Sequence, residues 1–385
     1  MTLGFRAPLW ADSVTKVSGE ISKGNIVEHQ LVVNLSFLAS RPTGISNYAL
    51  NILPALKSLF PVLFAPFRVP SYHQTDHCFV SPEMSTDYGK SGHLRRLLWL
   101  QASACKAFDQ ASKGLIFTPL PEAPLYRNCR YVATAHDTIP LRFPGGTRLL
   151  YLYFKHYVPR VLGQAEHVIC NSKTTAADIM SAYGIPAKQI TPIYLGYNEA
   201  AFRPLAIAPQ NYFLYVGLHS PHKNLIRLIQ AFSQLERNDT ELWIAGLGHR
   251  HYTTQLKACI AELGLGDRVR FLGYVPDADL PVLINQALAF VFPSLWEGFG
   301  LPILEAMACG TPVISSNCAS MAEIAGDAAL LIDPYQPQAL AQAMNRIVQD
   351  DSLREDLHSR GLERVKSFSW SKTGAITAEV LRAYC

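Results

Sequence analysis

The sequence predicts an α/β protein with two doubly wound parallel-sheet domains that face each other across a cleft. Two series of short apolar runs, one between residues 30 and 194 and one between 212 and 332, alternate with helical patterns. Such alternation indicates βαβ units and a parallel sheet that is covered on both faces. A stretch without periodicity at 202–210 separates the series, and we interpret it as the linker. Ligands of such sheets bind beyond the carboxyl ends of the strands, so we expect the site between the domains.

The individual elements follow this alternation in chain order. The first series has strands at 30–37, 62–65, 114–118, 131–135, 167–171 and 190–194, with helices near 45–59, 92–112, 147–163 and 173–182. The second has strands at 212–217, 241–246, 268–273, 288–293, 312–316 and 329–332, with helices near 224–236, 251–263, 277–286, 301–309, 336–348 and 352–367. We place the N-terminal domain at 1–204, with a loose arm at 1–28, and the C-terminal domain at 205–368. The last segment, 369–385, is a further predicted helix that could cross back to the first domain.

Composition narrows the class of protein. The 385 residues are 49% hydrophobic and 17% charged, which is typical of a globular chain with two buried cores. A net charge of +4 does not indicate a nucleic-acid partner.

The eight cysteines contain no CxxC pair, so we expect buried, reduced thiols and a cytoplasmic location. The chain begins without the apolar region of a signal peptide and has no run of ~20 apolar residues, so we expect a soluble protein that at most rests on a membrane surface.

The strongest local signal is the stretch 291–314, which reads VFPSLWEGFGLPILEAMACGTPVI. A predicted strand ends at Pro293 and a helix starts near Leu301. Free backbone N–H groups and the positive end of the helix dipole meet at that start, which makes an anion site suited to a diphosphate. Gly298 and Gly300 would let the backbone approach such a ligand closely. The alternative is that these glycines only form a tight turn.

Two carboxylates flank this turn. Glu305 lies one turn into the helix and can accept hydrogen bonds from ribose hydroxyls, and Glu297 can reach a sugar attached to the diphosphate. The string Glu-Gly-Phe-Gly-Leu-Pro-x-x-Glu resembles the E-x7-E motif of glycosyltransferase family 4, the retaining glycosyl transferases group 1 of the GT-B fold. The resemblance implies two Rossmann-like domains, with Phe299 and Leu301 joining the glycines at the donor diphosphate.

A second match is the segment Tyr215 to Leu225, which resembles the family's first donor-domain strand and basic loop. Gly217 ends the strand, and Lys223 stands at the start of the next helix. A lysine there neutralises the diphosphate and the charge that builds on it as the glycosyl bond breaks. Many relatives carry an arginine just before this lysine or directly after the glycine, where this chain has His222 and Leu218. A bidentate guanidinium is therefore missing, and His222 supplies a second positive charge only when it is protonated.

Three further matches lie elsewhere along the chain. The segment 271–275 resembles the strand and turn against the nucleotide base, which implies a base contact for Val275. His136 closes an apolar strand, and in relatives a histidine at this place touches the donor hexose. Asp137 either helps to hold the acceptor or caps the loop that follows. Gly44 belongs to a loop, 41–48, that resembles the family's glycine-containing loop near the donor phosphate.

Other motifs are absent from the sequence. Gly89-Lys90-Ser91 lacks the first glycine of a P-loop because position 84 is Met, and no G-x-G-x-x-G follows a strand. Without an Asp-x-Asp motif or a histidine cluster, we expect no metal and no cofactor besides the nucleoside diphosphate sugar. The basic, apolar segments 93–100 and 148–160 could touch an anionic membrane and meet a lipid-linked acceptor. We favour the alternative, in which both are core helices with a charged outer face.

The resemblance therefore predicts a retaining hexosyltransferase with His136, Glu297 and Lys223 as catalytic residues. GDP-mannose is the favoured donor because the stretches HDTIPL and PSLWEGFGLP look most like those of bacterial mannosyltransferases. The acceptor would be a saccharide or a lipid-linked saccharide. A UDP-glucose-type donor, a sugar-nucleotide epimerase and a catalytically silent carbohydrate-binding protein remain alternatives.

Overall fold

The computed structural model describes residues 31–385, except 41–42, 71, 74–75, 105–106, 109–113, 126–128, 145–146 and 249. The predicted arm at 1–28 and the residues 41–42 of the predicted loop lie outside the described residues. The rest forms two sheets of parallel strands, as the alternating pattern predicts.

The first sheet has seven strands in the order β3-β2-β1-β4-β5-β6-β7. They are β1 Leu31–Asn34, β2 Pro61–Ala65, β3 His77–Phe79, β4 Leu115–Thr118, β5 Tyr131–Ala135, β6 His167–Cys170 and β7 Ile190–Pro192. Strand β1 pairs with both β2 and β4, and Val33 lies opposite Leu63 and Phe117. The strand order reverses between β1 and β4, and ligands of doubly wound sheets bind at such a reversal.

The second sheet has six strands in the order β10-β9-β8-β11-β12-β13, which is the doubly wound order 3-2-1-4-5-6. They are β8 Gln210–Val216, β9 Glu241–Ala245, β10 Val269–Gly273, β11 Ala287–Phe292, β12 Val313–Ser316 and β13 Leu330–Ile332. Its order reverses between β8 and β11. The loops that follow these two strands, 217–224 and 293–300, are those that carry the predicted donor residues.

Helices cover both faces of each sheet. Those of the first series are α1 Gly44–Leu56, α2 Gly89–Ala102, α3 Ile139–Arg142, α4 Arg148–Leu152, α5 Val158–Gln164 and α6 Lys173–Tyr183. Those of the second are α7 Leu225–Phe232, α8 Arg250–Glu262, α9 Leu280–Gln286, α10 Leu301–Ala308, α11 Ala319–Ala325, α12 Pro337–Gln349 and α13 Asp351–Val365, and the chain ends with α14 Trp370–Arg382. Alternate residues of β1 enter different cores, since Leu31 and Val33 join one apolar cluster and Val32 the other.

The C-terminal helix α14 packs on α1 of the first sheet. A Cβ on Gly374 would lie 2.7 Å from the Ala55 Cβ, so only glycine allows the two helices to approach this closely. Thr373 Oγ1 also donates a hydrogen bond of 2.7 Å to the Tyr194 carbonyl. The end of the chain therefore helps to hold the two sheets in a fixed arrangement.

The structure differs from the sequence predictions at several positions. The predicted helix at 147–163 is broken, because a π turn, Tyr153–Tyr157, separates α4 from α5. Pro159 in the first turn of α5 cannot donate a backbone hydrogen bond and crowds the preceding turn. Strand β3 at the sheet edge was not predicted. Cys129 is disulfide-bonded, so the prediction of reduced thiols, which supported a cytoplasmic location, is wrong at this position.

Across the described residues, none of the helices combines the length and the apolar character that crossing a bilayer requires.

Candidate active site

The basic loop after β8 is tied to the loop after β11. Residues Pro221–Lys223 form a short 3-10 turn, and Asn224 then adopts a left-handed conformation with φ of 64°. The Asn224 amide donates hydrogen bonds to the carbonyls of Pro293, at 3.0 Å, and Pro334, at 2.7 Å. Asparagine suits this position because it tolerates positive φ and has two N–H donors to satisfy both carbonyls. These two hydrogen bonds thus fix the position of the adjacent Lys223 relative to the loop after β11.

Lys223 and Glu297 form an ion pair between these loops. The Lys223 Nζ donates to Glu297 Oε1 at 2.6 Å, and the two side chains are only 15% and 10% exposed. The Glu297 carbonyl also accepts a hydrogen bond from Ser320 Oγ at 2.9 Å, which fixes the backbone on the other side. The pair leaves Glu297 Oε2 and two of the three ammonium hydrogens for other partners.

The glycine turn lies directly against the first domain. A Cβ on Gly298 would lie 1.9 Å from the His136 carbonyl oxygen, so no larger residue fits there without displacement. The Gly298 carbonyl accepts hydrogen bonds from Ser172 Oγ at 2.7 Å and Thr175 Oγ1 at 3.0 Å. Gly300 has φ of 104° and immediately precedes α10, so its left-handed backbone starts the helix.

At three other predicted donor residues, the backbone is the part that a donor would contact. The Phe299 ring is buried and packs near Tyr194 and Phe368, so only the Phe299 main chain faces the turn. At Gly217, φ is 154° and a Cβ would lie 2.7 Å from the Tyr215 hydroxyl oxygen. Leu301 is the first residue of α10, and its N–H has no acceptor within the helix.

His136 directly follows β5, and its backbone carbonyl lies against the glycine turn at Gly298. Its Nε2 lies 2.8 Å from the Pro119 carbonyl, and the ring meets Tyr48 edge to face at 5.1 Å between centroids. Burial lowers the pKa of His136 to about 4, with the Pro119 carbonyl opposing that shift. The ring is therefore neutral near pH 7. Because a carbonyl only accepts, the proton is on Nε2 and Nδ1 is an acceptor.

Asp137 is close to the ion pair. Its Oδ1 accepts a hydrogen bond from the Ile139 N–H at 2.9 Å, which is the loop-capping role. Burial raises the pKa of Asp137 to about 6, and the negative charge of Glu297 adds to the increase, while the Ile139 hydrogen bond and Lys223 oppose it. One carboxylate oxygen remains for an acceptor hydroxyl, which stays a prediction.

His222 does not replace the missing arginine as a cation. Burial lowers its pKa to about 4, and the positive charge of Lys223 lowers it further, against the opposing charge of Glu297. The ring lies 5.6 Å from the Phe143 ring of the first domain, and the His222 carbonyl accepts a hydrogen bond from the Leu295 N–H at 2.7 Å. Near neutral pH, Lys223 thus supplies the charge of this loop.

Glu305 lines a cavity of about 490 Å³ between the domains. The cavity is lined by Asn47, Asn51, Tyr197, Asn198, Glu199, Ala201, Phe202, Asp277, Leu280, Leu301, Glu305, Trp370 and Ser371. Burial raises the pKa of Glu305 to about 7, and the nearby charge of Asp277 raises it further. No described residue donates a hydrogen bond to its carboxylate, which is therefore available to hydroxyl donors of a ligand.

Val275 and Gly44 lie on opposite sides of this region. Val275 is half-buried and follows β10, two residues before Asp277 of the cavity wall. Gly44 opens α1, and a Cβ there would meet nothing within 4 Å. Neither position contacts the Lys223–Glu297 pair directly. Among the described residues, no group of three or more His, Cys, Asp or Glu side chains is arranged to hold a metal ion.

Comparison with known proteins identifies the family. Residues 198–364 match the family described as Glycosyl transferases group 1, and residues 42–200 match Glycosyltransferase Family 4. The O-antigen chain mannosyltransferase RfbU of Salmonella typhimurium is 30% identical over 327 residues, which cover 83% of this chain and 91% of that protein. The chain belongs to glycosyltransferase family 4. It is a glycosyltransferase by that membership, as predicted.

Another similar protein and two solved structures agree with this assignment. The O-antigen chain mannosyltransferase B of Escherichia coli is 36% identical over 245 residues, which cover 60% of this chain and 64% of that protein, slightly less than two thirds of its length. Sucrose-phosphate synthase from Thermosynechococcus elongatus superposes with a TM-score of 0.73 at 23% identity, covering 92% of this chain and 98% of that one. Anabaena HepE, in complex with UDP and glucose, gives 0.72 at 19% identity, covering 92% and 100%. These likenesses confirm the predicted GT-B fold.

Sequence reasoning missed the residues that join the two domains of this family 4 protein. Asp178 and Trp296 meet across the cleft, and Glu323 of the second domain reaches the start of α6 in the first. These partners are more than a hundred residues apart in the chain. In the sequence, the segments 168–175 and 319–326 resemble parts of the family pattern, but that resemblance implies no interdomain contact for either of them.

Proposed function

We propose that this family 4 protein is a retaining mannosyltransferase that moves mannose from GDP-mannose to a hydroxyl of a saccharide, including a lipid-linked one. The observation that carries the proposal is the Lys223–Glu297 pair beside the N-terminus of α10, with neutral His136 on the facing domain. A cation, a carboxylate and the Leu301 amide thus lie on the second domain, and a neutral histidine lies on the domain that faces it.

The diphosphate would bind where α10 begins. At the first turn of α10, Pro302 has no N–H and the Ile303 N–H donates to the Gly300 carbonyl, so the Leu301 N–H is the one without an acceptor in the helix. The helix dipole also favours negative charge at this end. Lys223 lies beside this turn and can share its ammonium hydrogens between Glu297 and a phosphate oxygen. As the glycosyl–phosphate bond breaks, both electrons of the bond remain on the phosphate oxygen, where Lys223 and the amides stabilise the growing charge.

The sugar would project toward the first domain. Glu297 Oε2 and His136 Nδ1 are both hydrogen-bond acceptors, so each can orient a hexose hydroxyl. The acceptor oxygen then forms its bond to the anomeric carbon on the face that the phosphate leaves, and its proton passes to the leaving phosphate oxygen. This course gives retention of configuration, which the family resemblance implies.

The cavity chemistry supports a guanine base. Asp277 and Glu305 line the same cavity and interact electrostatically. A carboxylate can accept two parallel N–H bonds, and the guanine N1–H and N2–H groups offer that pair, whereas uracil offers one N–H between two carbonyls. Glu305 would accept from the ribose hydroxyls. The names of the two O-antigen mannosyltransferases support mannose as the sugar.

A thermal-shift panel of GDP, UDP and dTDP with their sugars tests the donor. Ligand binding to the native state raises the melting temperature by mass action, so we expect GDP and GDP-mannose to give the largest shifts. Asp277→Asn should reduce the preference for GDP over UDP. A larger shift with UDP sugars would overturn the donor assignment, and no nucleotide shift would favour a silent carbohydrate-binding protein.

Product analysis tests the reaction. With GDP-mannose and a mannose-containing oligosaccharide, we expect a product heavier by one hexose, with the same anomeric configuration as the donor by proton NMR. Conversion of UDP-N-acetylglucosamine without an acceptor would instead identify an epimerase. Inverted configuration would overturn the retaining course.

The outer faces of α2 and α4 carry exposed leucines as well as charges, unlike the purely charged faces favoured from the sequence, and we therefore also infer that the first domain contacts a membrane surface through these helices. Leu94 and Leu98 of α2 and Leu149 of α4 are 58%, 61% and 67% exposed, and Lys90 and Arg148 are exposed on the same helices. Exposed leucines with cations suit the surface of an anionic bilayer. We expect flotation with anionic but not zwitterionic liposomes, reduced by Leu94→Ser with Leu98→Ser. No flotation with anionic liposomes would exclude this contact.

A further inference from the structure

Helix α6 of the first domain receives a carboxylate from the second domain at its N-terminus. The Lys173 and Thr174 N–H groups donate to Glu323 Oε1 and Oε2 at 2.8 and 3.0 Å, and Thr174 Oγ1 donates to Oε2 at 2.9 Å. Ser172 Oγ accepts from the Thr175 N–H, so it caps the same turn. First-turn amides have no acceptor within a helix, and here the opposite domain supplies it.

The same turn of α6 also binds the loop 293–300, which follows β11. The Ser172 and Thr175 hydroxyls donate to the Gly298 carbonyl, the residue directly after Glu297. Separation of the domains would leave the α6 amides and the Gly298 carbonyl without these partners at the same moment. The contacts at the start of α6 therefore favour the arrangement in which the two domains touch.

Further along α6, Asp178 contacts both the segment that follows β5 and the loop 293–300 that follows β11. Its Oδ2 accepts from Trp296 Nε1 at 3.0 Å and from Thr138 Oγ1 at 2.9 Å, and its Oδ1 accepts from Arg142 Nη2 at 2.6 Å. The Arg142 guanidinium also lies 3.7 Å from the centroid of the Trp296 ring, which is a cation–π contact. Trp296 directly precedes Glu297, so this cluster fixes the residue next to the ion pair.

We propose that α6 is a clamp that holds the loop 296–298 in its catalytic position, with Glu323 and Asp178 as positioning residues. The inference rests on the proposed function. Glu323 enters the first domain at the N-terminus of α6, while Trp296 reaches Asp178 one and a half turns later. Asp178 also bonds to Thr138 and Arg142, which follow His136 and Asp137, so one side chain orders both the donor side and the acceptor side of the cleft.

Hydrogen exchange of two amides tests the Glu323 contact without any substrate. Since Lys173 and Thr174 have no acceptor within the helix, slow exchange at these positions reports the bond to Glu323. We expect protection in the wild type and exchange at least tenfold faster at both amides in Glu323→Ala. The exposed Glu355→Ala variant of α13 serves as the control. Unprotected amides in the wild type, or equal rates in Glu323→Ala, would overturn the clamp.

The variant Trp296→Phe tests the contact between Trp296 and Asp178. Trp296→Phe keeps an aromatic ring over Arg142 but removes the indole N–H. We expect kcat to fall at least tenfold, as for loss of a hydrogen bond to a charged group, while the Kd of GDP changes by less than about twofold. Trp243→Phe is a matched control, because Trp243 Nε1 donates to Glu241 on β9, away from the carboxyl ends of the strands.

The outcomes separate this inference from the proposed function. A wild-type protein that neither binds nucleotides nor transfers a sugar contradicts the proposed function, yet the exchange of Lys173 and Thr174 still tests the clamp. If the wild type transfers mannose while Trp296→Phe and Glu323→Ala keep its kcat, the clamp is wrong and the function stands. An equal rise in the GDP Kd and fall in kcat would mean a general loss of structure and would also contradict a positioning role.

Discussion

The Lys223 ammonium nitrogen lies 2.6 Å from Glu297 Oε1, and it links the loops that follow β8 and β11 at the point where the strand order reverses. His222, the nearest alternative cation in this loop, is neutral near pH 7 because burial lowers its pKa to about 4. Lys223 therefore supplies the positive charge of this loop, without the second charge that an arginine gives in many relatives. Removal of Lys223 should have a large effect on sugar transfer.

We expect Lys223→Ala to lower kcat/KM for GDP-mannose by roughly 30- to 1,000-fold, which corresponds to about 2–4 kcal/mol of transition-state stabilisation. Steady-state kinetics measure this. Lys257→Ala, an exposed lysine of α8, is the control and should keep wild-type turnover. If Lys223→Ala turns over as fast as the wild type, Lys223 does not stabilise the leaving nucleotide.

Gly298→Ala should push the loop 293–300 away from the first domain. The new Cβ would lie 1.9 Å from the His136 carbonyl oxygen and 2.9 Å from the Asp137 Cβ, and both residues directly follow β5. We expect overpacking to destabilise the protein by about 1–3 kcal/mol in chemical denaturation, and transfer to fall at least tenfold. Gly266→Ala, where a Cβ meets nothing within 4 Å, should change neither quantity. Wild-type stability and turnover in Gly298→Ala would show that the loop does not pack there.

The strand, loop and helix at 291–314 could be predicted from the sequence because their signals are local. Proline and glycine mark the boundaries, and the structure ends β11 at Phe292 and starts α10 at Leu301. The contact of Glu323 with Lys173 could not be predicted, since the residues are 150 positions apart and meet only when two separate sheets dock. The break at Tyr153–Tyr157 was missed because the apolar pattern of 147–163 continues through it. Local chemistry thus indicated the candidate donor residues, and the docking of the domains added the residues that we propose to position them.

Acid should destabilise the protein through His136. Burial lowers the pKa of His136 to about 4, below its ordinary value of 6.5, so between these pH values the unfolded chain binds a proton that the folded chain does not. The free energy of unfolding therefore falls as pH drops from about 6.5 to about 4. His136→Gln keeps an N–H donor for Pro119 and does not titrate, so it should lose less stability over that window in urea denaturation.

The exposed His251 of α8 provides the comparison. His251→Gln should follow the wild-type dependence on pH. A His136→Gln variant that loses as much stability as the wild type between about pH 6.5 and about pH 4 would show that His136 is not held neutral by burial.

Glu305 should make donor binding depend on pH. Burial raises its pKa to about 7 in the free protein, and ribose hydroxyls that donate to the carboxylate would lower that pKa in the complex. Binding would then release a proton, so the affinity for GDP-mannose should rise as pH increases through about 7 and level off above it. The rise is at most about tenfold for each unit by which the pKa of Glu305 falls on binding.

Calorimetric titration with GDP-mannose measures this dependence. GDP-mannose is a better ligand than GDP here because its diphosphate is esterified at both ends and has no proton that titrates near neutrality. Glu305→Gln removes the titrating group but keeps an oxygen acceptor, so its weaker binding should be independent of pH over the same window. If Glu305→Gln retains the wild-type dependence, another group, such as Asp137 with its pKa of about 6, is the one linked to binding, and the ribose contact of Glu305 is wrong.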